Sequence, residues 1–146
     1  MIAIGSDHAG FQYKEQLKTL LDRLGERYQD LGCFSAGTAD YPDLGHAVAA
    51  AVSAGSVDRG ILICGTGIGM SIVANKHRGV RAAVCESVTS ARLAREHNDA
   101  NVLCVGARVI GWETVSDVVT IFLSTAFDGG ERHRRRIDKI GSLTGL

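Results

Sequence analysis

Cys64 ends a short apolar run, Gly60-Ile61-Leu62-Ile63-Cys64, and glycines at alternate positions, Gly65, Gly67 and Gly69, follow at once. A thiol at the end of a buried strand can act as an acid/base or as a nucleophile. It can equally be a small apolar residue that closes a strand. Near a helix N-terminus its thiolate is favoured, which draws the pKa down from about 8.5 toward neutrality. Glycines let backbone N–H groups come close to an anion. A thiol beside a backbone anion hole suits a reaction that develops negative charge. The spacing is neither the dinucleotide fingerprint G-x-G-x-x-G nor a phosphate loop ending in Lys-Ser/Thr, and a tight strand-to-helix turn explains it as well. Thr66 can cap the following helix or hydrogen-bond a substrate oxygen.

Other chemistry-bearing residues fall at the ends of elements. Asp7 and His8 follow the first strand, Cys85 and Glu86 the fourth. Arg132 and Arg136 are i and i+4 on one helix face, a spacing that suits a phosphate dianion, whereas Arg134 and Arg135 read as a solvated face. His97, Asn98 and Asp99 precede the fifth strand, at the amino edge of a parallel sheet. His97 therefore reaches a site at the carboxyl edge only through a neighbouring subunit or an unusual loop path. His46 and His77 have no partner pattern in the sequence.

The elements that must position these groups alternate. Ile2 to Ser6 reads as a strand, and Leu17, Leu20, Leu21 and Leu24 give the following helix one apolar stripe that Gly25 ends. Tyr28 to Gly32 reads as an edge strand, and Pro42 suits the first turn of a helix whose buried face is Leu44, Val48, Ala51 and Val52. A central strand spans about Arg59 to Cys64, with a helix to about His77. Strands at Val80 to Cys85 and Asn101 to Val105 flank a helix from Ser87 to Glu96. Val115, Val118, Val119, Phe122, Leu123 and Ala126 outline another amphipathic helix, and a last one runs from Arg132 to about Ile140. This rhythm predicts an α/β fold: a single-domain, doubly wound, five-stranded parallel sheet of Rossmann-like or flavodoxin-like type, with an extra C-terminal helix.

Composition bounds the partners. The 146 residues form one domain, 1–146, and sixteen basic residues balance sixteen acidic ones. A neutral protein with one short basic run offers no stripe for nucleic acid, and no run is long enough to span a membrane. Four cysteines (Cys33, Cys64, Cys85, Cys104) without a C-x-x-C pair point to reduced thiols in a cytoplasmic setting, with no metal site and no disulfide framework. A receiver-like signalling domain is disfavoured, because its third strand would end in aspartate, not Cys64.

Taken together, Gly5-Ser6-Asp7-His8-Ala9-Gly10, Asp40-Tyr41-Pro42, Gly60 to Gly69, Ala74-Asn75-Lys76, Arg81-Ala82, His97-Asn98-Asp99 and Gly106-Ala107-Arg108 resemble the type B ribose-5-phosphate isomerase family, which includes galactose-6-phosphate isomerase subunits. The resemblance spans nearly the whole chain. It implies a metal-free, cofactor-free aldose–ketose isomerisation of a sugar phosphate, D-ribose 5-phosphate to D-ribulose 5-phosphate in the first instance. It also implies a homodimer or dimer of dimers with sites shared between subunits.

By the same resemblance, Cys64 is the base of an enediolate mechanism and Thr66 assists proton traffic. Gly65, Gly67 and Gly69 hold the enediolate oxygens. His97, with Asp7, opens the furanose ring, while Asn98 and Tyr41 contact sugar oxygens. His8, Arg108, Arg132 and Arg136 correspond to the phosphate-binding positions. Glu131 is one residue more than that pattern holds between Gly130 and Arg132. Some relatives carry a carboxylate base at the position of Met70, which here cannot abstract a proton. Galactose-6-phosphate isomerase divides its catalytic residues between two different chains, whereas this chain has both Cys64 and His97. A six-carbon substrate such as allose 6-phosphate or galactose 6-phosphate, or a sugar-phosphate-binding module without catalysis, are the alternatives.

Overall fold

The computed structural model describes residues 1–146. Five strands, β1 (Ile2–Ser6), β2 (Tyr28–Asp30), β3 (Arg59–Cys64), β4 (Ala82–Val84) and β5 (Val102–Gly106), form one sheet in the order β2-β1-β3-β5-β4. Every pairing is parallel. Six helices complete the fold: α1 (Phe11–Leu24), α2 (Tyr41–Ser53), α3 (Ile68–Ala74), α4 (Val88–Asn98), α5 (Trp112–Ser124) and α6 (Glu131–Thr144). The expected α/β doubly wound sheet with an extra C-terminal helix is what the chain adopts.

Strand alternation sorts the core into two halves. Ile2, Ile4, Ile61, Ile63, Leu103 and Val105 face α1, α4 and α5, while Ala3, Leu62, Cys64, Val102 and Cys104 face α2 and α3. Because β1, β3 and β5 are covered on both faces, their sequences read as unbroken apolar runs. The parity that places Leu62 under α2 and α3 places Cys64 there too.

The strand order also locates the crevice. The chain leaves β1 toward β2 on one side and leaves β3 toward β4 on the other. Adjacent strands whose connections diverge leave an opening at their carboxyl ends, and ligands bind in such openings. Here the divergence falls between β1 and β3, so Asp7 and Cys64 stand on its two sides. The inner pair runs β5 before β4, so the connection through α3 reaches the sheet edge and the chain then returns inward through α4.

Several boundaries differ from those the sequence suggests. Helix α3 stops at Ala74, short of His77, because the Asn75 side chain leaves the helix to pair with the backbone of Ala82. Its Nδ2 donates to the Ala82 carbonyl at 2.9 Å and its Oδ1 accepts the Ala82 amide at 2.8 Å. Strand β4 is only three residues long, since the amide of Arg81 is taken by the Asn101 side chain at 2.8 Å. Helix α4 continues through Asn98, and α6 runs on to Thr144. Pro42 lies in the first turn of α2, and Gly25 caps α1 with a left-handed φ of 73°.

Candidate active site

Cys64 is 5 % exposed, and its sulfur accepts the Gly67 amide at 3.0 Å. A hydrogen bond from a backbone N–H to sulfur strengthens when the sulfur carries charge. Gly67 makes that bond with φ 79°, a left-handed conformation that a side chain disfavours. Gly67 rather than Thr66 is therefore the cap of α3, and the Thr66 hydroxyl instead accepts the Ile68 amide at 3.2 Å. The amides of Gly65 and Thr66 donate to no backbone acceptor. Gly69 is required by contact: a Cβ there would lie 2.6 Å from the ring of Tyr41 at the start of α2.

The same edge gathers four more of the expected residues. The Asp7 amide donates to the Ile63 carbonyl at 3.2 Å, and its Oδ1 accepts the Gly10 amide at 3.1 Å. This buried carboxylate fixes the turn into α1 directly beside β3. His8 Nδ1 lies 3.3 Å from the Ala39 amide nitrogen and 3.4 Å from the Ala39 carbonyl oxygen, which ties the ring to the loop before α2. Arg108 follows β5; its amide donates to the Gly65 carbonyl at 3.0 Å and its guanidinium passes over Gly65. Tyr41, on Gly69, closes the group.

The remaining expected residues lie elsewhere in the chain. Helix α4 carries the chain back across the sheet, so His97 and Asn98 stand at its amino edge, ~15 Å of helix from the carboxyl edge. Arg132 and Arg136 are exposed on α6, which packs on α4 at that same end. One chain thus brings together Asp7, His8, Tyr41, Cys64, Thr66, Gly65, Gly67, Gly69 and Arg108, and separately His97, Asn98, Arg132 and Arg136. Asp7 and His97 are not neighbours within it.

The turn holding His97 and Asn98 is braced from two sides. Arg81 Nε donates to the Asn98 carbonyl at 3.0 Å and Nη2 to the Asp99 carbonyl at 2.8 Å. Arg95, 5 % exposed, gives Nη1 to Asp99 Oδ1 at 2.8 Å and Nε to the Thr125 carbonyl at 3.1 Å. Asp99 adopts φ 44°, the one non-glycine residue in the left-handed region. A charged group on each side makes this unusual C-cap affordable in free energy.

Sequence reasoning passed over His133, Arg95 and Lys14. Each occupies an inward stripe: His133 with Ile137 and Ile140, Arg95 with Ala91, Lys14 with Leu17 and Leu21. A polar residue at an apolar helical position is the signal that was available. Lys14 is fully buried and pairs with Asp30 of β2, whose other oxygen accepts the Gly32 amide at 2.9 Å. His133 is the only buried residue of α6, 8 % exposed, and its ring stacks on His97 with centroids 4.4 Å apart.

The other strand cysteines are poorly suited to chemistry. Burial pushes the Cys85 thiol from 9.0 up to about 11. Burial also raises Cys104, assisted by the Cys64 and Cys85 sulfurs. A pocket of about 450 Å³ lies away from Cys64 between α6 and the β4 edge, with Val80, Ala94, Ile137 and Ile140 on its walls and Asn75, Arg81 and Asn98 among its polar lining.

Comparison with known proteins agrees over almost the whole chain. Residues 2–140 match the model of the Ribose/Galactose Isomerase family. The chain is 46 % identical to ribose-5-phosphate isomerase B of Escherichia coli over 142 residues, 97 % of this chain and 95 % of that protein. It is 42 % identical to D-erythrulose-4-phosphate isomerase of Pectobacterium atrosepticum over 141 residues, 96 % and 92 % of the two chains. Among solved structures, ribose-5-phosphate isomerase B of Clostridium thermocellum superposes with a TM-score of 0.95 at 48 % identity, covering 97 % of this chain and 95 % of that one. No helix is long and apolar enough to cross a membrane. The fold and the near full-length matches agree, and the chain belongs to the ribose/galactose isomerase family of sugar-phosphate isomerases.

Proposed function

We propose that this isomerase interconverts D-ribose 5-phosphate and D-ribulose 5-phosphate through an enediolate, with Cys64 as the base. The observation that carries the reading is the Cys64 sulfur, 3.0 Å from the Gly67 amide on a turn whose neighbouring Gly65 and Thr66 amides lack backbone acceptors. The Cys64 thiolate takes the C2 proton of the open-chain aldose, and the charge passes to the enediolate oxygens facing those amides. The proton returns at C1 while a proton moves from the oxygen on C2 to that on C1, a transfer that this reading assigns to Thr66. No metal or other cofactor is needed in this scheme. Positioned acid–base groups contribute about 10²–10⁴-fold, and each oxyanion donor about 2.7–4 kcal/mol.

The remaining roles require a second copy of the chain. His97 opens the furanose ring and Asn98 contacts the sugar from the partner, while Asp7 and Tyr41 act from the subunit that supplies Cys64. Arg132 and Arg136 of the partner then meet His8 and Arg108 around the phosphate. The separation of the two residue groups within one chain supports a homodimer or dimer of dimers with shared sites. The isomerase of Pectobacterium atrosepticum, whose name gives a four-carbon substrate, shows that family membership alone does not fix chain length of the sugar.

The test is aldose–ketose conversion measured across four-, five- and six-carbon sugar phosphates, including allose 6-phosphate and galactose 6-phosphate, with solvent deuterium incorporation followed by NMR. Highest kcat/KM on ribose 5-phosphate, with deuterium entering at C2 of the aldose, is expected. Faster turnover of another sugar would reassign the substrate. Binding without any exchange would reduce the protein to a sugar-phosphate-binding module.

A further inference from the structure

The residue beneath His97 is not part of any role described so far. His133 lies on α6 with its ring 9° from parallel to that of His97. Its Nε2 is 3.3 Å from Asp128 Oδ2. Asp128 is itself fixed: Oδ1 accepts the Gly130 amide at 2.8 Å, and its own amide donates to the Glu96 carbonyl at 3.2 Å. The contacts close a ring, from Glu96 through Asp128 and His133 back to His97, the next residue in the chain after Glu96.

This arrangement constrains the position of His97, whose ring lies against that of His133 with centroids 4.4 Å apart. The charged groups nearby are engaged elsewhere. Glu96 on α4 is paired with Arg92 at 2.8 Å, and Arg95 is turned to Asp99. On α6, Arg134 donates to the Gly129 carbonyl, and Arg132 and Arg136 add positive charge to the same helix. The donor atoms of His97, Asp128 and His133 lie within 4.8 Å of one another. Near-parallel rings nevertheless direct their in-plane lone pairs along separate planes, so as they stand they do not converge on one ion.

We propose that His133, oriented by Asp128, is a positioning residue that holds the His97 ring flat against α6. Held there, the His97 ring takes the anomeric hydroxyl proton as the C1–O4 bond breaks, its electrons pass to O4, and O4 takes a proton from water. The proposal rests on the reading of His97 as the ring-opening group.

The test compares the wild type, His133→Ala, His133→Phe and Asp128→Ala in two activity assays, with contacts between the His97 ring and α6 followed by NMR. One assay is conversion of ribose 5-phosphate, which is mostly cyclic. The other is exchange of a C1 hydrogen of ribulose 5-phosphate, whose C5 oxygen carries the phosphate and cannot close a ring. In His133→Ala conversion should fall about tenfold, with C1 exchange within about twofold of wild type. Asp128→Ala should show the same split more weakly, and His133→Phe, which keeps a flat ring beneath His97, should lose less than half of the wild-type conversion. Unchanged conversion in His133→Ala, or equal losses in both assays, would overturn the proposal. If the wild type shows neither conversion nor exchange, the isomerase reading fails instead, and the NMR contacts still report whether His133 holds the His97 ring on α6.

Discussion

At the scale of single residues, the four cysteines share one composition class and differ entirely in environment. Cys64 accepts a backbone amide at the carboxyl edge, whereas Cys85 and Cys104 are sealed in the core with their thiols held protonated. Cys64→Ala should lower kcat by ~10²–10⁴-fold and leave the circular dichroism spectrum unchanged. Retained turnover in that variant would remove Cys64 as the base. The Cys85 shift has a separate consequence for stability. Its folded value of about 11 exceeds the ordinary 9.0, so its contribution is present below pH 9 and is lost as pH rises toward 11. Urea unfolding midpoints measured between pH 8 and pH 11 should therefore fall, and Cys85→Ala should flatten that decline.

Elements set how accurately those residues are held. The packing of α3 against α2 depends on Gly69, where Tyr41 occupies the space of a side chain. Gly69→Ala forces the Tyr41 ring, itself 41 % exposed, to swing away from α3. A raised KM for the sugar phosphate with little change in melting temperature is the expected result; wild-type KM would mean that the position of Tyr41 is immaterial to binding. At the opposite edge, Arg81 and Arg95 perform the equivalent task for the His97–Asn98 turn. Their bonds go to backbone carbonyls and Asp99, so they fix the conformation of the turn.

At the scale of the molecule, the sheet separates the two halves of the proposed site. Mixing subunits that carry Cys64→Ala with subunits that carry His97→Asn tests whether the halves join between chains. In a shared-site dimer, each mixed pair regenerates one intact site of two. After random reassociation of equal amounts, activity on ribose 5-phosphate should recover to about a quarter of wild type. Additive residual activity, with no recovery, would place each complete site within one chain. Helix α6 is central to this geometry: only His133 is buried, and Leu143 remains 82 % exposed.

The sequence by itself determined the alternation of strands and helices, because covered parallel strands leave apolar runs and surface helices leave stripes. It also determined the thiol–glycine turn, since Cys64, Gly65, Gly67 and Gly69 are contiguous and local conformation suffices to bring them together. Boundaries such as the end of α3 depended on Asn75 meeting Ala82, a contact that no local propensity records. The sheet order, with β5 inside β4, and hence the position of the crevice, was decided by the tertiary structure alone. So was the stack of His97 on His133, formed by residues thirty-six positions apart on different helices. Distant side chains meet only when crossovers and packing are complete, and a linear pattern carries no term for that.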